Sequence, residues 1–256
     1  MTKTKTKTKA QKKEADPTPQ LPQFYKKVVP LNKTAHSGLY LEPIENYLHT
    51  RDTNSVYIAA IEFIKASHEY PIVFASNTDG SIFPVVLLGL EQQKNAFINK
   101  AGQWLANYIP AYVRRYPFIL AMNEDQFTVC IDEGFAGFNT AKEGQPLFNE
   151  KGEELKPLLQ AIEFLKEYQQ HVQLTTLFCD NMKKLELLEP VEANIEFASG
   201  QKKKMGGFMC VNRKKLKDLK PEDLSQLVKS DQLELIYAHL ASLDNLQALM
   251  KRAAAN

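Results

Sequence analysis

The run Gln103 to Phe118 concentrates the side chains best suited to recognition, with Trp104, Tyr108, Tyr112 and Tyr116 set around the pair Arg114 and Arg115. Trp104 is the only tryptophan of the chain. These rings can bury more area than any other window, while the guanidinium groups keep their polar edges. An arginine pair among tyrosines can clamp an anion through parallel N–H groups. It can also serve its own fold by bonding carboxylates and carbonyls.

A second candidate pair is Asp132 and His239. Asp132 closes the apolar run Phe127-Thr128-Val129-Cys130-Ile131, a position where active-site carboxylates sit. Adjacent residues of an extended chain face opposite sides, however, so Asp132 and Glu133 read more readily as loop-capping or solvated acids. His239 lies in the apolar stretch Ile236-Tyr237-Ala238-His239-Leu240, where a hydrogen-bonded core imidazole is favoured over a catalytic one.

Other chemistries lack their signatures. The five histidines, His36, His49, His68, His171 and His239, show no H-x-x-x-H spacing, so no metal site is expected. No P-loop, G-x-G-x-x-G or G-x-S-x-G is present, and no cofactor is expected. Cys130, Cys179 and Cys210 are odd in number and far apart, which fits packing as small hydrophobes in a reducing compartment better than a disulfide framework.

The elements that must hold these residues follow from periodicity. Pro71 to Ser76 and Ile82 to Leu90 flank Asn77-Thr78-Asp79-Gly80 and read as a hairpin. Phe118 to Met122 and Phe127 to Ile131 form a second strand pair around Asn123 to Gln126. Asn95 to Asn99 reads as a further short strand, and Pro110 to Tyr116 as a short helix opened by one proline and closed by Pro117. Ala60, Ile61 and Ile64 share a helical spacing within 59 to 69. Prolines at 17, 19, 22 and 30 predict an extended or irregular arm before these elements.

Gly134, Gly137, Gly144, Pro146 and Gly152 mark a loop and a possible subdomain boundary near 135–152. Beyond it, leucine spacing predicts helices over 153–170 and 174–187. Strands follow at 191–197 and 208–211, and then helices from Pro221 to Met250 with a break near Ser230-Asp231. The expected class is α+β, with mainly antiparallel strands in the N-terminal half and a helix-rich C-terminal half.

Net charge is +2, but residues 1–20 carry six lysines against Glu14 and Asp16. This Lys/Thr tail reads as disordered, and residues 21–256 as the globular region. Residues 202–220 set Lys202, Lys203, Lys204, Arg213, Lys214, Lys215, Lys217 and Lys220 against Asp218 alone. A solvated or protein-docking face is favoured there over nucleic-acid binding, because Phe208 is the one aromatic in reach of the patch. No apolar run approaches the length needed to span a bilayer, and no apolar segment follows the basic N-terminus, so cytoplasmic residence is the expectation.

Several blocks in order resemble the bacterial SapC family, the one associated with surface-layer proteins. They are Tyr70-Pro71-Ile72-Val73-Phe74, Leu87-Leu88-Gly89-Leu90, Asn95 to Trp104, and Tyr108-Ile109-Pro110-Ala111 running into Arg114-Arg115-Tyr116-Pro117-Phe118. Gly144 to Phe148 with Gly152, and Ile236 to Leu240 with Ser242, continue the pattern, which extends from about residue 22 to about 250. The resemblance implies a link to surface-layer or cell-surface protein biogenesis, with envelope association, and brings no catalytic residue.

The resulting expectation is a non-catalytic protein-binding accessory whose site is built from Trp104, Tyr108, Tyr112, Arg114, Arg115 and Tyr116. The rival is an enzyme or small-ligand binder in which that segment, Asp132 and His239 converge between the two halves. Nucleic-acid binding through the tail and the 202–220 patch is the third reading.

Overall fold

Apolar runs joined by a turn that tolerates positive φ pair with each other, and Gly80 at φ +79 closes the hairpin expected at 72–90, whose strands end at Leu87. The computed structural model describes residues 21–123, 126–196 and 202–255. The Lys/Thr tail, Glu124, Asp125 and Phe197 lie outside the described residues, as do the side chains of Lys202 to Lys204.

In chain order come β1 (Val28–Pro30), β2 (Tyr40–Leu41) and β3 (Ser55–Tyr57), then a 3-10 turn (Ala60–Glu62) running into α1 (Phe63–Ala66). The hairpin β4 (Ile72–Ser76) and β5 (Ile82–Leu87) precedes α2 (Ala111–Arg114) and the hairpin β6 (Phe118–Asn123) and β7 (Gln126–Asp132). Two short strands, β8 (Phe138–Asn139) and β9 (Gln145–Pro146), lead to the long helix α3 (Lys156–Lys184). The strands β10 (Leu188–Glu196) and β11 (Lys202–Val211) come next. The helices α4 (Arg213–Lys217), α5 (Pro221–Lys229), α6 (Gln232–Ser242) and α7 (Asn245–Ala255) close the order. The α+β class holds, and among the described residues no helix is long and apolar enough to cross a membrane.

The principal sheet is antiparallel, in the order β10-β11-β4-β5-β3, and a second runs β1-β7-β6. The proline-rich arm therefore ends as a strand of the fold, with Val28 opposite Asp132. The small sheet β8-β2-β9 completes the set.

Two clusters of buried side chains result. The larger packs Ile72, Phe74 and Val86 of the principal sheet against Phe63, Tyr70, Phe178, Met182, Ile236 and Leu240. The smaller joins Phe118 and Ile131 to Leu147, Phe148, Leu158 and Leu165. Both draw on α3, whose 29 residues span about 43 Å at the usual rise.

Two expectations need correction. The two helices predicted at 153–170 and 174–187 are one, because no Gly or Pro interrupts 158–184; the buried side chains simply pass from one cluster to the other along it. Asn95 to Asn99 is not a strand. The Asn95 carboxamide oxygen accepts from Phe97 N and that of Asn99 from Ala101 N and Gln103 N, which ties the backbone into turns and leaves a lone bridge, Ile98 to Trp104. The short helix expected within 59–69 forms as the 3-10 turn and α1, with Ile61 and Ile64 exposed, at 64% and 42%, and Glu62 between them buried.

One polar insertion organises the principal sheet. Strands β11 and β4 are paired at Met209 and Phe74, so two steps along the register Val211 lies opposite Ile72. There the His239 ring enters the ladder. Its Nε2 accepts from Val211 N at 3.0 Å, and its Nδ1 donates to Ile72 O at 2.8 Å. The Ser242 hydroxyl accepts from Ile72 N at 2.9 Å, so α6 is stitched to β4 at both backbone groups of one residue.

Candidate functional site

The aromatic segment is pinned by carboxylates that arrive from other parts of the chain. Glu69 accepts from the backbone N–H of Asn107 and of Tyr108, each at 2.9 Å. Buried Glu62 accepts from Tyr108 OH at 2.6 Å, Ala111 N at 2.7 Å and Ala59 N at 2.9 Å. Asp132, fully buried, accepts from Tyr116 OH at 3.2 Å and from Lys26 N, Lys27 N and Gly134 N at 2.8 to 3.0 Å. Four donors on one carboxylate satisfy it without a counter-ion and hold the N-terminal arm against the end of β7. Burial raises the Glu62 carboxyl above its usual range, although its three hydrogen bonds pull the other way.

Aromatic hydroxyls complete the frame. Trp104 Nε1 donates to Tyr70 OH at 2.8 Å, and Tyr70 OH in turn donates to Tyr108 O. Tyr25 OH donates to Phe118 O at 2.8 Å. Burial pushes the phenols of Tyr25, Tyr70, Tyr108 and Tyr116 well above the ordinary tyrosine range. They stay protonated donors.

The arginines are held differently. Arg114 is exposed, donates through Nε to Ile109 O at 3.0 Å, and lies over the Phe164 ring at 5.1 Å. Arg115 lies 3.9 Å from the ring centre of Tyr112 and 5.4 Å from that of Tyr168, and its buried Nε has no hydrogen-bond partner. Among the described residues Lys27 forms an ion pair with Glu133, whose carboxylate also lies 3.4 Å from His36 Nε2, and neither arginine takes part in an ion pair.

Beside them His49 stacks on Tyr116, with centroids 4.3 Å apart and an interplanar angle of 18°. Its Nε2 is buried without a partner, and burial lowers its pKa to about 4 against the opposing pull of Asp132.

Three cavities follow this frame. The first, about 470 Å³, is walled by Lys26, Ile44, His49, Tyr116 and Phe135 among others. The second, about 270 Å³, lies over Arg114, Arg115 and Phe164, and the third, about 310 Å³, over Glu62, Tyr108 and His171. Ile44 and Tyr116 wall both the first and the second; Arg114 and Phe164 wall both the second and the third. The cavities therefore adjoin at these residues and form an interrupted groove past the arginine pair.

The structure sets Tyr108, Arg114, Arg115 and Tyr116 on the cavity walls, with Tyr112 under the Arg115 guanidinium and Asp132 added through the Tyr116 hydroxyl; Trp104 lines none of these cavities and instead bonds Tyr70 OH and packs edge-on to Tyr47. The fold does not bring His239 to them, because that ring is enclosed by Phe74, Ile72 and Val211. Sequence reasoning missed Glu62, Glu69, Tyr70 and His49. For Glu62 a signal was present, an acid three residues after the start of a helical turn that can bond back to the Ala59 N–H. For His49 no local pattern marks the ring.

In the 202–220 stretch, the Asn212 side chain caps α4 by accepting from Lys214 N and Lys215 N, and Lys215 Nζ donates to Glu186 O. The three cysteines are buried, and burial pushes the thiols of Cys179 and Cys210 up to about 12 and about 11.

Fold and site together define an α+β protein with two cores on one long helix and an aromatic, arginine-lined groove. The SapC family model matches residues 31–249. The chain belongs to the SapC family. No curated protein matches the chain, and no solved structure does.

Proposed function

We propose that this protein is a non-catalytic protein-binding accessory that takes an extended segment of its partner along the groove. The partner is a surface-layer or cell-surface protein, in keeping with the family resemblance. The observation that carries the reading is the shared walls, with Tyr116 and Ile44 between the first two cavities and Arg114 and Phe164 between the last two. A chain of adjoining pockets suits a peptide with side chains at intervals better than it suits one compact molecule.

The chemistry supports binding rather than turnover. Glu62, on the wall of the third cavity, and Asp132, behind Tyr116, spend their oxygens on backbone N–H groups and tyrosine hydroxyls, and the phenols are held protonated. Rigid aromatic rings and arginines are the groups that anchor protein partners.

The test places a photo-crosslinking benzoylphenylalanine at Ile44 or Gln160 in the groove, and at the exposed Lys229 on α5 as control, in the native cells. Adducts to one contiguous segment of one protein from both groove positions, absent from Lys229, are the expected result. Equal labelling from all three positions refutes the reading. A metabolite recovered from the first cavity, with no protein adduct, transfers it to a small-ligand binder, since about 470 Å³ is an ordinary size for such a site.

A further inference from the structure

The second cavity holds an imbalance of charge that the fold leaves open. Its lining contains two guanidinium groups and no carboxylate; apart from Gln160 and Tyr116 the remainder is apolar, with Leu41, Ile44, Phe118 and Phe164 among it. A partly buried cation without a counter-ion is costly, and here the compensation comes from ring faces, from Ile109 O at Arg114 and from the Tyr25 hydroxyl at Arg115. Arg114 lies over Phe164, and Arg115 over Tyr112 and Tyr168. Stacking uses the face of the guanidinium and leaves its N–H edge in plane for an acceptor.

The edges are only partly committed. Arg114 spends Nε on Ile109 O and reaches the Tyr108 hydroxyl, and Arg115 reaches the Tyr25 hydroxyl while its Nε is buried and bonds nothing; among the described residues no carboxylate pairs with either guanidinium group. Glu62 is near enough to feel Arg114 electrostatically, yet no ion pair forms, and its oxygens are taken by Tyr108 OH, Ala111 N and Ala59 N. Glu167 walls the third cavity with Arg114 but forms no ion pair with it, so among the described residues the arginine pair meets the second cavity without a bonded carboxylate.

We propose that the second cavity is a carboxylate subsite, in which Arg114 and Arg115 bind one carboxylate of the docked segment while Phe164, Ile44 and Phe118 receive the apolar group beside it. The proposal rests on the groove reading above and gives it a chemical preference: an acidic group next to an aromatic or aliphatic one. Planar forks match a carboxylate through paired N–H bonds, which a lysine ammonium does not reproduce. The carboxylate comes from a chain terminus or from an Asp or Glu side chain, and the two are separable by experiment.

The test follows the arginine Nε–H resonances of the full-length protein during titration with three probes. These are N-acetylphenylalanine, its uncharged amide, and N-acetylglutamate blocked as the amide at its α-carboxyl. Expected is a saturable shift of the Arg115 signal with at least one acid, and binding weaker by about tenfold or more for the amide. The stronger of the two acids identifies the terminus or the side chain as the source.

Because Arg115 is partly buried, Arg114→Gln at the exposed position carries the mutational arm, and it is expected to weaken acid binding by about tenfold with the rest of the spectrum unchanged. Arg115→Lys keeps the charge without the fork and is expected to lose most of the preference for acid over amide. Equal affinity for acid and amide, or full affinity in Arg114→Gln, overturns the subsite. Groove-specific crosslinks that persist in that case leave the docking reading standing. Acid binding without crosslinks refutes docking and keeps the subsite.

Discussion

Replacing His239 by leucine removes the ring that joins Val211 N to Ile72 O while nearly preserving its volume. Both backbone groups would then be buried without partners at a point where the strands do not bond each other directly. An unsatisfied buried backbone group costs about 1–3 kcal/mol, so the pair costs about 2–6 kcal/mol, a large part of the stability of an ordinary domain. Glutamine is the informative companion, because its carboxamide can accept from one strand and donate to the other as the imidazole does, without a titratable proton. His239→Gln is therefore expected to recover much of the loss.

The same bridge makes a pH prediction. A ring that accepts through Nε2 and donates through Nδ1 is neutral, and burial lowers its pKa from the usual 6.5 to about 4. Above pH 6.5 neither the folded nor the unfolded ring is charged, and the bridge contributes in full. Between 6.5 and 4 the unfolded ring takes up a proton that the folded one refuses, so stability falls as pH falls, by about 3 kcal/mol across the window. His49 contributes in the same direction, and Glu62, whose pKa is raised, in the opposite one; both are common to the wild type and the variants, so the difference isolates His239.

The assay is urea unfolding at pH 7.5 and at pH 5, followed by the fluorescence of Trp104, the only tryptophan. Wild type should lose more stability than His239→Gln between these two pH values. The reasoning is refuted if His239→Leu unfolds within about 0.5 kcal/mol of wild type at pH 7.5, or if His239→Gln keeps the full acid-side loss.

Two other substitutions probe the frame of the site. Asp132→Asn leaves one acceptor oxygen for four donors, so the arm should loosen, with stability lower by about 3 kcal/mol and faster hydrogen exchange at Lys26 N and Lys27 N; unchanged exchange would contradict the anchoring role. Gly89→Ala would place a methyl group 1.8 Å from Lys94 O, a backbone atom that cannot swing aside, whereas Gly38 has nothing within 4 Å. Thermal melts should show Gly89→Ala destabilised by about 1–3 kcal/mol or more and Gly38→Ala within about 0.5 kcal/mol of wild type.

Much of the scaffold was legible because its causes are local. The hairpins at 72–87 and 118–132 follow from apolar runs on either side of polar turns, and α2 from Pro110 ahead of it. The break at Asp231, which adopts φ 58, follows from a polar pair between helical runs. The aromatic segment was legible as a structural centre for the same reason, since the number and size of its rings are properties of sixteen consecutive residues.

What composition and spacing alone determined, then, was an α+β chain with a central aromatic segment and an arginine pair. Only the tertiary structure decided what those residues face. Helical spacing favoured Ile61 and Ile64 as the inner face, yet Glu62 is inside, because an N–H and a hydroxyl nearly fifty residues away in the chain converge on its carboxylate. His239 was readable as a core ring, but its place in the β11–β4 ladder depends on where α6 crosses the sheet. The arginines remain unpaired for a related reason. Glu62, Glu69 and Asp132 gain more from backbone N–H groups than from guanidinium groups that ring faces and solvent can satisfy, and that competition exists only once the chain has folded.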